Sequence, residues 1–151
     1  MFVDSNLLLL YLVGTYDRPL VTSFKRTADY SPHQFDCLAQ FLSHFDKIIT
    51  TPQVLTEISN LSGQLPEPTR TNYFAHLARL IPRIFDERYV HSSAIATDGG
   101  FIPFGLTDAG VAVVCSARIP VLTDDGRLAA HLLSRGVYVV FYNVIQDLYD
   151  R

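Results

Sequence analysis

The sequence is poor in cysteine, with only Cys37 and Cys115 among its 151 residues. So low a count excludes a small scaffold held together by several disulfide bonds. The two cysteines have no paired spacing and lie in apolar segments of helical pattern. A small buried thiol is favoured there over a disulfide or a metal ligand. We therefore expect a protein of a reducing compartment.

Long apolar stretches and a leader sequence are also missing. The longest apolar run near the start, Leu7 to Val13, is too short to cross a bilayer. The chain opens directly on Met1-Phe2-Val3-Asp4, without the basic leader and small-residue cleavage site of a secretory signal. These absences predict a soluble, cytoplasmic protein with no membrane partner.

An excess of positive charge is absent as well, since the formal net charge is −3. Proteins that coat nucleic acid hold its phosphates through a basic excess, so this class is disfavoured. Four acids at predicted strand and helix junctions are Asp4, Glu57, Asp108 and Asp125. Removing their four negative charges leaves the rest of the chain at +1. Charge alone therefore does not exclude a nucleic-acid substrate.

The composition is that of a folded protein, because apolar residues make up 48% of the chain and charged residues 18%. The length suits one domain over residues 1–151. Short apolar runs rich in β-branched residues alternate with segments of helical period. This alternation predicts an α/β fold in which helices cover both faces of a mainly parallel sheet.

The pattern also predicts the position of each element. Strands are expected over residues 1–4, 47–51, 89–95, 121–123 and 137–141. Helices are expected directly after Asp4, which can cap the first one, and over residues 33–45, 52–62, 69–80, 106–117 and 126–134. The helix that follows Asp108 is apolar on every face, which predicts that it is the buried helix of the domain.

Acidic side chains follow two of the predicted strands. Asp4 ends the first strand, and Asp124 and Asp125 end the fourth, just before Gly126. In an open parallel sheet, ligands bind outside the carboxyl ends of the strands, so these acids meet if the two strands are neighbours. Successive strand residues point to opposite faces. One aspartate of the adjacent pair is therefore predicted to be a bystander.

Two further acids lie on predicted helices. Glu57 falls at the edge of the apolar arc of its helix, where a charge needs a partner. Asp108 lies in the first turn of its helix, where the helix dipole helps to keep it ionised. Plainer roles stay open for every acid: Asp4 as a helix cap, Glu57 as a solvated residue, Asp108 as a first-turn acid, and Asp124 with Asp125 as a turn.

Gathered carboxylates repel each other unless a cation lies between them. Mg²⁺ and Mn²⁺ take oxygen ligands of this kind together with water and substrate phosphate. Such a site could position a water for attack on a phosphodiester and stabilise the leaving oxygen. The histidines show no close metal-ligand spacing, and the sequence has no nucleophile motif or phosphate-binding loop. The residues therefore predict a divalent-metal site for cutting nucleic acid.

Four short blocks follow one another along the chain. They are Phe2-Val3-Asp4-Ser5-Asn6, Thr51-Pro52-Gln53-Val54-Leu55-Thr56-Glu57, Leu106-Thr107-Asp108-Ala109 and Val121-Leu122-Thr123-Asp124-Asp125. In order, spacing and total length they resemble the successive blocks of PIN-domain nucleases, and most of all the toxin ribonucleases of bacterial toxin–antitoxin pairs. The likeness covers nearly the whole chain and depends on the four blocks in series.

The resemblance implies a three-layer α/β/α fold with strand order 3-2-1-4-5 and a Mg²⁺- or Mn²⁺-dependent endoribonuclease acting on single-stranded or structured RNA. By block position, the catalytic and metal-binding acids would be Asp4, Glu57, Asp108 and Asp125. Asn6 and Thr123 would be polar support. The threonine-x-acid pattern of the last block selects Asp125 as the ligand and leaves Asp124 in a supporting position. An antitoxin and a second copy of the chain are the protein partners that the resemblance implies.

Two other functions fit the same order of elements. A metal-free interaction module of the PIN fold would not need the acids, yet all four are present. A receiver-type phosphoryl-transfer domain would want an acidic pair near the first strand and a lysine after the last, where this chain has Asp4 alone and Asn143. A phosphatase would want a second aspartate two residues after the first, and Asn6 stands there. The nuclease is the best fit.

Overall fold

A parallel sheet forms the centre of the computed structural model, which describes residues 1–115 and 118–150. Its five strands are β1 (Phe2–Val3), β2 (Ile48–Thr50), β3 (Phe85–Glu87), β4 (Val121–Thr123) and β5 (Val139–Phe141). They lie in the order β3-β2-β1-β4-β5, and every neighbouring pair is parallel. The predicted fold class and strand order are confirmed.

Helices cover both faces of the sheet, which gives three α/β/α layers. They are α1 (Ser5–Tyr16), α2 (Leu20–Ser23), α3 (Pro32–Leu42), α4 (Pro52–Ser62), α5 (Thr69–Ile84), α6 (Ser92–Ala96), α7 (Phe101–Val114), α8 (Gly126–Ser134) and α9 (Tyr142–Tyr149). Parallel neighbours need a crossover, so helices separate each strand from the next along the chain. No helix in the described part of the chain has both the length and the apolar character that a membrane crossing needs.

The strand register brings the ends of β1 and β4 together. Phe2 lies opposite Ile49 of β2 on one side and Val121 of β4 on the other, and Val3 lies opposite Leu122. The pairing continues one residue further, where the backbone N–H of Asp4 donates to the carbonyl of Leu122 at 3.0 Å. The side chains that follow β1 and β4 therefore begin from adjacent points at the carboxyl edge of the sheet.

The most buried helix is α1, so the prediction that the helix after Asp108 is the buried one is wrong. The leucines and valine of α1 at positions 7–10, 12 and 13 are at most 1% exposed, and this helix packs against α3, α4 and α5. In α7 only residues 109–112 are buried, while Ile102 is 93% exposed. Gly105, with φ 76° and ψ −175°, breaks α7 into two helical segments. Only the second segment reaches the core, and its outer side stays at the surface.

Most predicted elements are found, with one misplaced strand. The strand at 121–123 and the helices at 52–62 and 126–134 have the predicted bounds. The strand expected over 89–95 is wrong, because the edge strand is Phe85–Glu87 and residues 92–96 form α6. Helices α2, α6 and α9 were not predicted. The last two residues of the helix expected over 106–117 lie outside the described residues.

Candidate metal centre

The four predicted acids line one small cavity at the carboxyl ends of β1 and β4. Its volume is about 70 Å³. The residues around it are Asp4, Ser5, Asn6, Glu57, Asp108, Asp125 and Leu128. Parallel sheets bind ligands at this edge, beside the point where the chain crosses from one side of the first strand to the other. The structure thus brings together acids that are up to 121 positions apart in the sequence.

Asp4 is the most buried of the four acids, with 3% of its surface exposed. It stands directly after β1 and caps α1, because its Oδ1 accepts a hydrogen bond from the N–H of Leu7 at 2.9 Å. Its Oδ2 accepts from the hydroxyl of Thr123. Burial raises the pKa of Asp4 to about 7, and the hydrogen bonds from Thr123 and Leu7 limit that rise. The capping role is therefore real, and it leaves a carboxylate that burial has made costly to ionise.

Thr123 connects Asp4 to Asp125. Besides donating to Asp4, its buried hydroxyl accepts from the backbone N–H of Asp125 at 3.0 Å. Asp125 caps α8 through Oδ1, which accepts from the N–H groups of Arg127 at 2.8 Å and Leu128 at 3.0 Å. One oxygen of Asp125 is thus engaged in capping, and the carboxylate still borders the cavity.

Asp124 points to a different place. Its Oδ2 accepts a hydrogen bond of 2.5 Å from the hydroxyl of Tyr30, and its side chain lines a separate pocket with Gln34 and Asn143. The adjacent aspartates therefore diverge, as strand alternation predicts, and Asp125 is the one that borders the acid cavity. The negative charge of Asp124 nevertheless contributes to the raised pKa of Asp4.

Glu57 reaches the cavity from α4. This helix begins directly after β2, where Thr51 caps it by accepting from the N–H of Val54 at 3.3 Å. Glu57 is half-buried, and its Oε2 accepts a hydrogen bond of 3.1 Å from the hydroxyl of Ser5. Ser5 was not singled out in the sequence, although its position directly after a capping aspartate was a signal that it would lie at the same edge. Asn6 borders the cavity from an exposed position.

Asp108 enters from α7, early in the segment that follows the break at Gly105. Burial raises the pKa of Asp108 to about 6, and the negative charges of Glu57 and Asp125 raise it further in the same direction. These charges act on Asp108 because the three carboxylates approach from different helices toward one point. Four carboxylates in this arrangement repel each other, and a cation between them would relieve that repulsion.

The donor set fits a hard divalent cation that keeps some of its water. All four candidate ligands are carboxylates, which suit Mg²⁺ or Mn²⁺. Among the described residues, the one group of three metal-binding side chains with donor atoms all within 4.8 Å of one another lies elsewhere, so the acids surround their cavity more widely. Mg²⁺ holds ligands at about 2.0–2.1 Å and usually retains several waters, so an ion in this cavity would keep water between itself and some of the four carboxylates.

A larger open groove of about 530 Å³ adjoins the acid cavity and shares Glu57 with it. Its walls come from α4, α6 and α7, and the polar side chains include Gln53, Thr56 and Asn60. The amide nitrogen of Gln53 donates to the carbonyl of Val90 at 3.2 Å, whereas its oxygen has no partner among the described residues. No lysine or arginine lines the described groove, so apart from Glu57 its polar contacts come from neutral groups.

Comparisons with known proteins give no further guide to this site. No family model, no curated protein and no solved structure matches the chain. The strand order and the shared cavity are therefore the findings that bear on function, and the resemblance to PIN-domain nucleases stays a prediction.

Proposed function

We propose that this chain is a PIN-type endoribonuclease that hydrolyses single-stranded RNA with Mg²⁺ or Mn²⁺. One observation carries the proposal: Asp4, Glu57, Asp108 and Asp125 border one cavity at the carboxyl edge of a parallel sheet. These are the acids that the four sequence blocks select. Their types, their order along the chain and the strand order that joins them all agree with the nuclease.

The four acids would hold the cation, and Thr123 and Ser5 would position two of them. When bound, the cation would supply Lewis-acid stabilisation of a phosphodiester and lower the pKa of a bound water. Thr123 fixes Asp4 by donating to it, and Ser5 fixes Glu57 in the same way. Glu57 borders both the cavity and the groove, so it is the acid best placed to accept a proton from an attacking water beside the substrate.

The groove supports a single strand as the substrate. The described lining of this groove has no basic side chain, so it offers no charged contact to the phosphates of either a single strand or a duplex. The exposed side chains of Thr56 and Asn60 in this groove can exchange hydrogen bonds with base edges and ribose hydroxyls, which a single strand exposes.

By the same resemblance we propose a cytoplasmic toxin whose partners are an antitoxin and a second copy of the chain. A short neighbouring reading frame that encodes a small DNA-binding protein would support the antitoxin. Co-expression of the two chains would then give a complex that cleaves RNA less well than the free chain. If the complex cleaved RNA as well as the free chain does, the toxin assignment would be wrong. The proposed nuclease activity would still stand.

The central test is cleavage of an end-labelled single-stranded RNA by the purified chain. We expect cleavage with Mn²⁺ or Mg²⁺, none with EDTA, and recovery when metal is returned. Asp4→Asn and Glu57→Gln are expected to abolish cleavage while circular dichroism stays native. Asp46→Asn is the matched control, because Asp46 is exposed and precedes β2 at the opposite edge of the sheet. Activity that survives EDTA or both substitutions would reject the proposal.

A further inference from the structure

A second cluster of metal-binding side chains lies away from the acid cavity, where α3 meets the end of α9. It consists of His33, Cys37 and Asp150, with donor atoms all within 4.8 Å of one another. His33 Nε2 lies 3.4 Å from Asp150 Oδ1 and 4.0 Å from Cys37 Sγ. The proposed nuclease uses none of these three residues.

Local structure holds the three side chains in place. A capping box at Ser31 and Pro32 at the first helical position fix the start of α3, and His33 and Cys37 lie four residues apart on one helical face. Helix α9 packs against α3, where the hydroxyl of Tyr142 donates to the carbonyl of Gln34. Asp150 caps the end of α9 and so faces the first turn of α3.

An ion pair accounts for only part of this arrangement. A charged His33 and Asp150 would attract each other, but both side chains are more than half exposed, and such pairs contribute little to stability. The ion pair also gives no reason for the thiol of Cys37, which is 3% exposed, to lie beside the imidazole ring. A site for a soft cation would require all three side chains.

Two of the three distances between the donor atoms can be compared with the edges of a zinc tetrahedron. With Zn–N and Zn–O of about 2.0–2.1 Å and Zn–S of about 2.3 Å, tetrahedral angles place nitrogen and oxygen about 3.3 Å apart and nitrogen and sulfur about 3.6 Å apart. The corresponding distances here are 3.4 Å and 4.0 Å. The nitrogen–oxygen edge agrees closely, the nitrogen–sulfur edge is a few tenths of an ångström too long, and sulfur and oxygen lie within 4.8 Å of each other. The three side chains would therefore draw together on binding one ion.

We propose that His33, Cys37 and Asp150 bind one Zn²⁺ ion that clips α9 to α3. The mixed nitrogen, sulfur and oxygen donors select zinc over Mg²⁺ or Mn²⁺, which the all-oxygen cavity would take. The exposure of His33 and Asp150 leaves a fourth position open to water. The thiol of Cys37 gives up its proton to solvent on binding, since the thiolate is the ligand. This site is independent of the proposed ribonuclease activity.

Titration of the full chain with Co²⁺ tests the proposal, because a thiolate bound to cobalt gives a near-ultraviolet charge-transfer band that carboxylates do not. We expect one equivalent of Co²⁺ to develop the band and one equivalent of Zn²⁺ to remove it. Cys37→Ser should abolish the band, and the matched variant Cys115→Ser should keep it. Asp4→Asn should keep it as well, which separates this site from the acid cavity.

Zinc affinity gives a second measurement, and it can be made on a variant that does not disturb the hydrophobic core. Changes to groups that only support a ligand weaken metal binding about 10–100-fold, so loss of a ligand should weaken it by about 100-fold or more. His33→Gln is informative because its side chain is 62% exposed and its replacement leaves the interior unchanged. Absence of the band in the wild-type chain, its survival in Cys37→Ser, or equal zinc affinity in His33→Gln would each overturn the proposal.

Discussion

The hydroxyl of Thr123 donates a hydrogen bond to the carboxylate of Asp4, across 119 positions of sequence and directly across the junction of β4 and β1. The same hydroxyl oxygen accepts from the backbone N–H of Asp125. One fully buried threonine therefore determines the positions of two candidate metal ligands on neighbouring strands.

Replacing Thr123 with valine should harm both stability and cleavage. Valine keeps the shape but leaves Asp4 and the N–H of Asp125 without their partner, and an unsatisfied buried group costs about 1–3 kcal/mol. We expect a lower melting temperature and weaker Mn²⁺ binding, while Thr123→Ser retains both. Chemical denaturation and calorimetry measure these effects. Equal behaviour of valine and serine would show that the hydroxyl has no role in the site.

Replacing each of the adjacent aspartates Asp124 and Asp125 with asparagine should have different effects on metal binding and cleavage. Asparagine still caps a helix but carries no charge for a cation. Asp125→Asn is therefore expected to fold normally and lose most Mn²⁺ affinity and cleavage. Asp124→Asn should lose little, because its side chain faces Tyr30 in another pocket. If only Asp124→Asn lost Mn²⁺ affinity and cleavage, the metal ligand would be Asp124 and not Asp125.

The metal-free chain should become less stable as the pH rises from about 4 to about 7. Burial is the main cause that raises the pKa of Asp4 to about 7 and that of Asp108 to about 6, from an ordinary value of 3.8. Groups with a raised folded-state pKa contribute stability that is full below the unfolded-state pKa and is lost as the pH rises through the folded-state pKa. Thermal unfolding in EDTA across this range measures the loss.

Asp4→Asn provides the control for this pH effect. Each pKa unit corresponds to about 1.4 kcal/mol, so ionising Asp4 costs on the order of 4 kcal/mol at pH 8. The variant should unfold at a higher temperature than the wild type at pH 8 in EDTA and gain less on adding Mn²⁺. Two results together would contradict a raised pKa at Asp4. The wild-type chain would become more stable from pH 4 to 7 in EDTA, and Asp4→Asn would have no higher melting temperature than the wild type at pH 8.

Gly14→Ala should lower stability although alanine favours helices. A Cβ at Gly14 in α1 would lie 2.2 Å from Cδ2 of Phe35 in α3. Overpacking of this kind costs about 1–3 kcal/mol, against a gain in helix propensity of about 1 kcal/mol. Adding Phe35→Leu should restore part of the loss, with Phe35→Leu alone as the reference for a double-mutant cycle. If the changes in the free energy of unfolding were purely additive, residues 14 and 35 would not be in steric conflict.

Asn60→Ala should weaken substrate binding more than chemistry. Asn60 lines the groove but not the acid cavity, so its loss is expected to raise KM about threefold to tenfold with a smaller change in kcat, as for a lost neutral hydrogen bond. Asn72→Ala, exposed on α5, is the matched control. A fall in kcat with KM unchanged would show that Asn60 does not contribute to substrate binding in the groove.

The elements with sharp local signals were the ones that could be predicted. Val121 and Leu122 are apolar and precede Thr123 and an Asp-Asp-Gly turn, and Pro52 marks the start of α4, so these bounds follow from the sequence. Strand β3 has no such signal, since Phe85 is followed by two acids that an edge strand can leave at the surface. Helix α9 begins directly after β5 with no side-chain cap, so the local sequence has no signal for the start of this helix.

The candidate site could be predicted as a set of residues but not as a set of contacts. Asp4 and Asp125 follow from strand ends, and Glu57 from its place on a helical arc. The bond from Ser5 to Glu57 joins positions 52 residues apart and depends on how α1 packs against α4. The cluster of Cys37 with Asp150 likewise depends on the docking of α9, which the sequence pattern did not reveal.

The pairing of β1 with β4 adds a long-range step to the folding of the chain. The pairs β1–β2, β2–β3 and β4–β5 join strands that follow one another along the chain, whereas the pair β1–β4 joins strands more than a hundred positions apart. Closing so long a loop is slow, and here the closing step also brings negative charges together. A divalent cation would favour that last encounter, so we expect Mn²⁺ to speed refolding as well as to stabilise the folded chain.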